Sequence, residues 1–577
     1  MFDSQLEIAR ESWSAFERDI SRLLMYEGYD GVRVVGQTND HGADVIASKN
    51  GKRWLFQAKH WTKPVGEAVI KETLAAVRSY SADVPVIVAS SGFSVGAKER
   101  QASLLADGIP LQLWDSNELI RRAKRLEEVG LTNDKTPRPY QEDAIQSVVS
   151  SYYERGNSRC LVVMATGMGK TFVAAESIRR IKANNPSLRV LVCAHTNDLV
   201  YQLERAFWPF MQPSERTVVL NSNESLPQEP LDSYDYVFAC VDSAANYLSK
   251  NDCIPCFDIL LVDECHHAGT GKYNEVFDAL AAGKPDGTFA LGLTATPWRA
   301  DEIDIQSYFG EPRVNVDTIT GLRNGFLANV DYRMYTDNID WDSLRDVKGN
   351  SFSPRQINRT LFIRQWDDAV VESFRDVWYE QRNPRAIVFC GTIDHAIRMR
   401  DRINQLGFCR AEALFSGGGG REAEKMNQFK RNQILCDFSD GKIGAVCAVD
   451  IFNEGLDVPD VNVLVFQRVT HSRRIFIQQL GRGLRLAEDK DKVIVLDFVS
   501  DIRRFAAGIE LKDGLSAPPS ADSTCIDIGS TVTFMKVGSE DKETESFLRE
   551  WLEDVVAIED AGENANVLKY PPPFSGR

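Results

Sequence analysis

Met164-Ala165-Thr166-Gly167-Met168-Gly169-Lys170-Thr171 follows the apolar run Leu161-Val162-Val163 and precedes a helix-forming segment over 172–181. Strand, glycine-rich loop and helix, in that order, are what a phosphate-binding loop requires. Gly167 and Gly169 let successive backbone N–H groups curl around an anion, and the helix N-terminus adds positive dipole. The spacing sends Lys170 to the β/γ-phosphates of a nucleotide and gives the Thr171 hydroxyl to Mg²⁺. The strict pattern has Gly at position 164, where this chain has Met.

A chain of 577 residues is expected to hold about three or four domains. Its 43% hydrophobic and 26% charged residues are those of a globular protein. No apolar run approaches the roughly 18 residues of a membrane span. The opening Met1-Phe2-Asp3-Ser4-Gln5 is polar and acidic, unlike a signal peptide. The expectation is a cytoplasmic protein with no membrane partner. The net charge of −16 excludes a surface coated in cations but not a local basic groove. The 11 cysteines are scattered, many in apolar runs, as in a reducing compartment. Cys253 and Cys256 form one CxxC without the second ligand pair of a zinc site.

Alternating strands and helices run through three regions. In the first, helices are expected at 13–27, 65–80 and 97–106. Strands are expected near 31–36, 43–48, 53–60 and 84–89, with a last one ending at Trp114. A charged segment at 121–128 and a polar one at 132–139 read as a linker. The second region has strands at 161–164, 190–194, 237–239, 259–262 and 290–293. The third has them at 386–390, 445–449, 463–467 and 493–496. Residues 311–380 are mixed, and beyond about 505 the α/β pattern stops. The expected division is 1–128, a linker at 129–138, 139–310, a connection at 311–380, 381–505 and an acidic extension at 506–577. Within that extension, 540–563 is acidic around an apolar pattern of helical spacing.

The chemistry of the second and third regions gathers at strand ends. Asp263-Glu264-Cys265-His266 follows a buried run, so Asp263 can hold Mg²⁺ and Glu264 can orient or deprotonate water. Leu293-Thr294-Ala295-Thr296-Pro297 ends another strand of that region. Asn453-Glu454-Gly455-Leu456-Asp457-Val458-Pro459 and Gln478-Gln479-Leu480-Gly481-Arg482-Gly483-Leu484-Arg485 lie in the third. Arg482 and Arg485 suit the developing charge on a leaving γ-phosphate, because the guanidinium fork binds phosphate oxygens bidentately. They lie on the half without the phosphate loop, so closure of the halves is expected to couple catalysis to domain motion.

From about 137 to 500 these motifs resemble superfamily 2 helicases, in particular the type I/III restriction-enzyme motor branch, where Met at the position of Met164 is common. Tyr140-Gln141 resembles the adenine-reading motif, which assigns Gln141 to the base. Ala194-His195-Thr196 and the segment with Asp457, assigned to nucleotide binding, resemble further motifs. The resemblance implies two RecA-like domains that hydrolyse ATP while stepping on nucleic acid, mostly duplex DNA.

In the first region Asn50-Gly51 is a strong hairpin signal. Pairing Lys49 with Lys52 and counting back sets Asp44 opposite Gln57, with Lys59 two residues on and on the same face. A carboxylate, an amide oxygen and an ammonium then meet. Asp44 and Gln57 could bind Mg²⁺, and Lys59 could activate water or stabilise charge. A solvated polar hairpin face is the alternative. Phe16-Glu17, Leu23-Leu24, Gly28-Tyr29, Gly42-Ala43-Asp44, Gln57-Ala58-Lys59 and Ser90-Ser91-Gly92-Phe93 resemble the Mrr-type restriction endonuclease domain, in which Gln commonly replaces the second acid. Glu17 is either a further metal contact or a surface glutamate, and His41 and His60 read as incidental.

Arg121, Arg122, Lys124 and Arg125 are either a phosphate track or a solvated helix face. The acidic tail either docks on a basic surface or stays exposed. The expected fold class is α/β: an N-terminal restriction-endonuclease-like α/β domain, two tandem RecA-like parallel-sheet domains and a short C-terminal extension. The expected function is an ATP-dependent DNA translocase or helicase fused to a Mg²⁺-dependent endonuclease, in restriction or anti-phage defence. A protein partner is expected to supply target recognition. The alternatives are a translocase whose Mrr-like domain binds DNA without cutting, and an RNA helicase.

Overall fold

The computed structural model describes residues 2, 4–10, 12–35, 43–129, 136–227, 229–251, 253–269, 271–295, 305–316, 318–336, 364–415, 426, 428–449, 461–467, 483–484, 486, 490, 492–499 and 531–536. Two compact units form. One is Met1–Val162, Thr171–Thr294 and Asp304–Val314; the other is Val163–Lys170, Ala295–Ile303 and Asn315–Arg577.

The first unit opens with α1 (Gln5–Arg10) and α2 (Trp13–Tyr26). A sheet follows, built from β1 (Asp30–Val34), β2 (Val45–Lys49), β3 (Lys52–Lys59), β4 (Val84–Ala89) and β5 (Gln112–Trp114) in sequential order. The Asn50-Gly51 turn forms as expected. Both residues have positive φ, 54° and 70°, and Lys49 pairs with Lys52. The antiparallel β2–β3 ladder gives way to parallel pairing of β3 with β4 and β4 with β5. Apolar residues alternate across the sheet. Val45, Phe56, Val86 and Val88 pack with Phe16, Ile20 and Leu23 of α2 on one face. Ile87 and Ala89 pack with Val69 and Ile70 of α3 (Glu67–Tyr80) and with Leu104 of α4 (Val95–Ala106) on the other.

The charged segment at 121–128 is not linker. It lies in α5 (Ser116–Val129), where Arg122 stacks on Trp114 at 3.7 Å and bonds both carboxylate oxygens of Glu27 at 2.9 and 2.8 Å. The charges that suggested a break instead fasten the helix to its sheet.

A seven-stranded sheet follows. Its strands are β6 (Arg159–Met164), β7 (Val190–Ala194), β8 (Thr217–Leu220), β9 (Tyr236–Cys240), β10 (Ile259–Val262), β11 (Phe289–Thr294) and β12 (Pro312–Val316), in the order β12-β6-β11-β10-β7-β9-β8. β10 is Ile-Leu-Leu-Val, wholly buried and paired in parallel with β7 and β11, as expected of a strand covered on both faces. Its helices include α6 (Pro139–Tyr153), α7 (Lys170–Asn184), α8 (Asn197–Phe207), α9 (Val241–Lys250) and α10 (Gly271–Ala279).

The second unit holds another parallel sheet. It contains β13 (Asn329–Thr336), β14 (Ala386–Cys390), β15 (Ala411–Phe415), β16 (Ala445–Val449), β17 (Val463–Gln467), β18 (Lys492–Val499) and β19 (Thr531–Lys536), in the order β15-β16-β14-β17-β18-β13-β19. β19 corrects the expectation that the pattern stops near 505: it pairs in parallel with β13. Its register is set by the sheet edge it extends, which the local sequence does not announce. Asp457, Arg482, Arg485 and the patterned 540–563 segment lie outside the described residues.

Candidate active sites

The phosphate loop takes the form that its glycines permit. Gly167 and Gly169 have φ of 91° and 87°, values that a side chain rarely tolerates. The Met168 N–H donates to Ala165 O at 3.3 Å, and α7 begins at Lys170. Met164 is the fully buried last residue of β6, which explains why an apolar side chain suits a position where the strict pattern has glycine.

Asp263 directly follows β10 and is buried; its N–H donates to Cys193 O at 3.1 Å. Glu264 adopts the left-handed conformation, φ 47° and ψ 50°. That costs a non-glycine residue on the order of 1 kcal/mol, and such strain concentrates at functional sites. His266 Nδ1 lies 3.3 Å from Glu264 Oε2 and 3.0 Å from Thr294 Oγ1. One buried imidazole thus lies between Glu264, after β10, and Thr294, at the end of β11. His267 packs between His266 and His195, with centroids 4.4 and 4.2 Å apart. His195 and His267 line a cavity of about 370 Å³ with Lys272 and Tyr273. The sequence singled out the segments of Glu264, with His266 in it, and of Thr294; the approach of His266 to Thr294 depends on adjacent strands. The Arg138 N–H donates to Gln141 Oε1 at 3.0 Å, at the start of α6. There Glu142 is bound by Arg180 of α7 at 2.6 and 2.8 Å. Hydrogen bonds from Arg180 hold the Glu142 carboxyl down at about 2.

At the first sheet, the β2–β3 ladder runs from Lys49–Lys52 to Val45–Phe56 and stops there. Asp44 and Gln57 are the next positions in that register, just past its last pair. The Asp44 N–H bonds Phe56 O at 3.0 Å, and its Oδ2 accepts the Ala58 N–H at 2.6 Å. The carboxylate takes the place of a backbone acceptor where the ladder ends. It remains buried against the strand between Gln57 and Lys59.

Gln57 is fully buried, and its amide oxygen meets Thr73 Oγ1 of α3. Thr73 Oγ1 also lies 2.8 Å from Val69 O, and a hydroxyl has one proton to give. Gln57 Nε2, also buried, has no partner in this amide orientation. With the amide turned over, Thr73 donates to Val69 O and Nε2 donates to Thr73, and the Gln57 oxygen takes the buried position without a protein partner that Nε2 otherwise holds, where a ligand could use it.

Lys59 Nζ lies 3.4 Å from Glu72 Oε2 of α3. Glu17 is buried on α2, where it accepts from Trp13 Nε1. His60 bonds Ile8 O at 2.7 Å and packs on Phe16, a structural role. His41 lies outside the described residues. Thr73 had a sequence signal that went unused. It is a polar residue on the buried stripe of α3, with Val69, Ile70 and Ala76. Among the described residues no three His, Cys, Asp or Glu side chains cluster as a metal cage.

The other face of α2 meets the motor sheet. Arg18 pairs with Glu204 of α8 at 3.2 Å and with Glu224. Arg22, wholly buried, donates to Glu215 O at 2.9 Å and Gln212 O at 2.7 Å. Burial pushes the Glu204 carboxyl up, and the Arg18 charge opposes that shift.

Three stretches match family models. Residues 134–299 match "Type III restriction enzyme, res subunit", 8–123 match "Restriction endonuclease" and 369–487 match "Helicase conserved C-terminal domain". The chain is 26% identical over 451 residues to the type I restriction enzyme EcoAI endonuclease subunit of Escherichia coli, covering 71% of this chain and 52% of that one. It is 22% identical over 393 residues to the DNA 3'-5' translocase XPB2 of Sulfurisphaera tokodaii, covering 62% and 80%. The ATP-dependent Type ISP restriction-modification enzyme LlaBIII bound to DNA shares the fold, with a TM-score of 0.52 at 16% identity, covering 97% of this chain and 42% of that one. The chain thus spans about half the length of the restriction subunit it matches. Among the described residues no helix is long and apolar enough to cross a membrane.

Proposed function

We propose, for a chain that belongs to the superfamily 2 helicases and carries an Mrr-type restriction endonuclease domain, an ATP-driven motor that moves on duplex DNA and a metal-dependent nuclease that cuts DNA. The observation that carries the nuclease is the buried Asp44 carboxylate bonded to the Ala58 N–H, between Gln57 and Lys59 at one end of β3. The Asp44 carboxylate and the Gln57 amide oxygen are hard donors and fit Mg²⁺. Asp44 and Gln57 would hold it, and when bound it would lower the pKa of water and stabilise phosphate charge. Lys59 lies beside the scissile phosphate and balances its charge.

In the motor, Gly167, Gly169 and Lys170 cradle the nucleotide phosphates, and Gln141 reads the adenine. Thr171 and Asp263 would hold Mg²⁺. Glu264 orients the attacking water, its carboxylate steadied by His266. Asp457, Arg482 and Arg485 complete the nucleotide site in this assignment. The protein works in the cytoplasm in restriction or anti-phage defence, and a partner supplies target recognition. Residues 1–128 form the nuclease domain, and 139–310 and 381–505 the two motor domains.

The test is cleavage of plasmid and linear DNA with Mg²⁺, with and without ATP. Asp44→Ala should lose cutting by at least about a hundredfold while keeping DNA-stimulated ATPase activity. Lys170→Ala should lose the ATPase, and its cutting shows whether the motor gates the nuclease. Cutting that survives Asp44→Ala, or a wild type that hydrolyses ATP on DNA and never cuts, rejects the nuclease assignment. ATPase activity stimulated by RNA and not by duplex DNA rejects the DNA motor.

A further inference from the structure

Trp13 and Trp61 are 40% and 43% exposed. Lys59 Nζ lies 5.9 Å from the Trp13 ring centroid and 5.7 Å from that of Trp61. Trp13 comes from α2 and Trp61 from the segment just past β3. Two indoles from distant parts of the sequence therefore meet at one ammonium. The other aromatics of this sheet behave differently. Trp54, Phe56 and Trp114 pack against one another, with centroids 5.4 to 6.2 Å apart. Trp13 is also held in place, because its Nε1 donates to Glu17. Lys59, only 12% exposed, is fixed by Glu72. The arrangement presents two aromatic surfaces and one cation at the end of the strand that carries Gln57.

We propose that Trp13 and Trp61 form a stacking platform for an unpaired nucleobase, with Lys59 taking the phosphate of the same nucleotide. The nuclease then prefers single-stranded or frayed DNA to intact duplex. The proposal rests on the nuclease reading above and names its substrate class. In a duplex the faces of the bases are covered by their neighbours, and a protein meets mainly phosphates and groove edges. An unpaired base offers its π-face to an aromatic side chain, whatever its identity. Exposed rings beside a cation suit that occupant. An apolar peptide would leave the charge unused, and a duplex would leave the rings unused. A motor working on the same DNA is a source of distorted or separated strands.

The first test needs no cleavage. The full chain is mixed in EDTA with a single-stranded oligonucleotide carrying 5-iodouracil, irradiated, and the crosslinked peptides are mapped by mass spectrometry. Crosslinks are expected on the peptides of Trp61 and Trp13. They should be competed by unlabelled single strand and not by the same concentration of blunt duplex. Crosslinks confined to other regions, or equal competition by duplex, overturn the proposal, whatever Asp44→Ala shows about cutting.

The second test compares cutting at a fork with cutting of blunt duplex. Trp61→Ala should lower that ratio about tenfold, and Trp61→Phe should restore most of it. In the wild type, abasic residues in the unpaired arm should reproduce the Trp61→Ala ratio. Trp61 is on an exposed segment, and unchanged thermal unfolding of the variant checks the fold. A ratio that is the same in wild type and Trp61→Ala overturns the platform.

Discussion

Thr73 carries one hydroxyl proton and stands against two acceptors, Val69 O and the Gln57 amide oxygen. Its proton is free for Val69 O only when Gln57 donates to it and does not accept from it. Thr73→Val removes that anchor and leaves a buried amide unsatisfied, at about 1–3 kcal/mol. DNA cutting should fall about tenfold and need more Mg²⁺ for half-maximal rate, as a metal titration of the cleavage assay would show. The motor has a comparable joint. His266 ties Glu264 to Thr294, so Thr294→Val loosens the imidazole that steadies the carboxylate. The kcat of DNA-stimulated ATPase should drop about tenfold, with KM for ATP changed by less than about twofold. A fall in affinity with kcat intact would show that the bridge serves binding and not catalysis. Gln57 was legible from its spacing to Asp44 and Lys59, because strand alternation is local. Thr73 and His266 act through neighbours on other elements, so their importance was not.

Elements are tied together by charge as well as by apolar burial. Arg180 on α7 holds Glu142 on α6, and the Glu142 carboxyl sits at about 2, against an ordinary 4.5, because of those hydrogen bonds. A lowered folded pKa gives stability that is present above pH 4.5 and lost as pH falls toward 2. The pair is partly exposed, so the effect is under about 1 kcal/mol. Glu142→Gln should remove that part of the pH dependence, seen as a smaller difference in urea midpoint between pH 5 and pH 3 than in the wild type. The hairpin is the element most faithfully written in the sequence, since Asn50-Gly51 sets both the turn and the Lys49–Lys52 register. At its far end the ladder stops at Val45–Phe56, one pair short of Asp44 and Gln57. There the Asp44 side chain competes with the backbone for the Ala58 N–H, and a two-residue alternation cannot foresee that.

At the scale of the molecule, α2 belongs to two sheets. Phe16, Ile20 and Leu23 lie in the nuclease core, while Arg18 and Arg22 reach into the first motor sheet. Glu17 lies between them in sequence. Within the first unit, the nuclease is thus held in register with helix α8, which follows His195. Arg18→Ala leaves Glu204 buried without its counter-charge, a loss of about 3–5 kcal/mol. Limited proteolysis should then release a stable N-terminal fragment, and ATP-dependent cutting should fall well before the ATPase does. A double-mutant cycle with Glu204→Ala should show strong coupling; additive effects would mean the pair does not hold the sheets together.

The sequence by itself determined the α/β class, most of the strands and the motor motifs, because apolar runs, glycine positions and the residues that follow them are properties of short segments. Tertiary structure alone decided that Arg122 fastens its helix to Trp114 and Glu27, that 531–536 joins a sheet edge, and that α2 serves two sheets. It also brought Trp13 and Glu72 to the strand of Gln57 and Lys59. Each of these depends on contacts between residues far apart in the chain, whose free energy is gained only once the packed neighbour is in place.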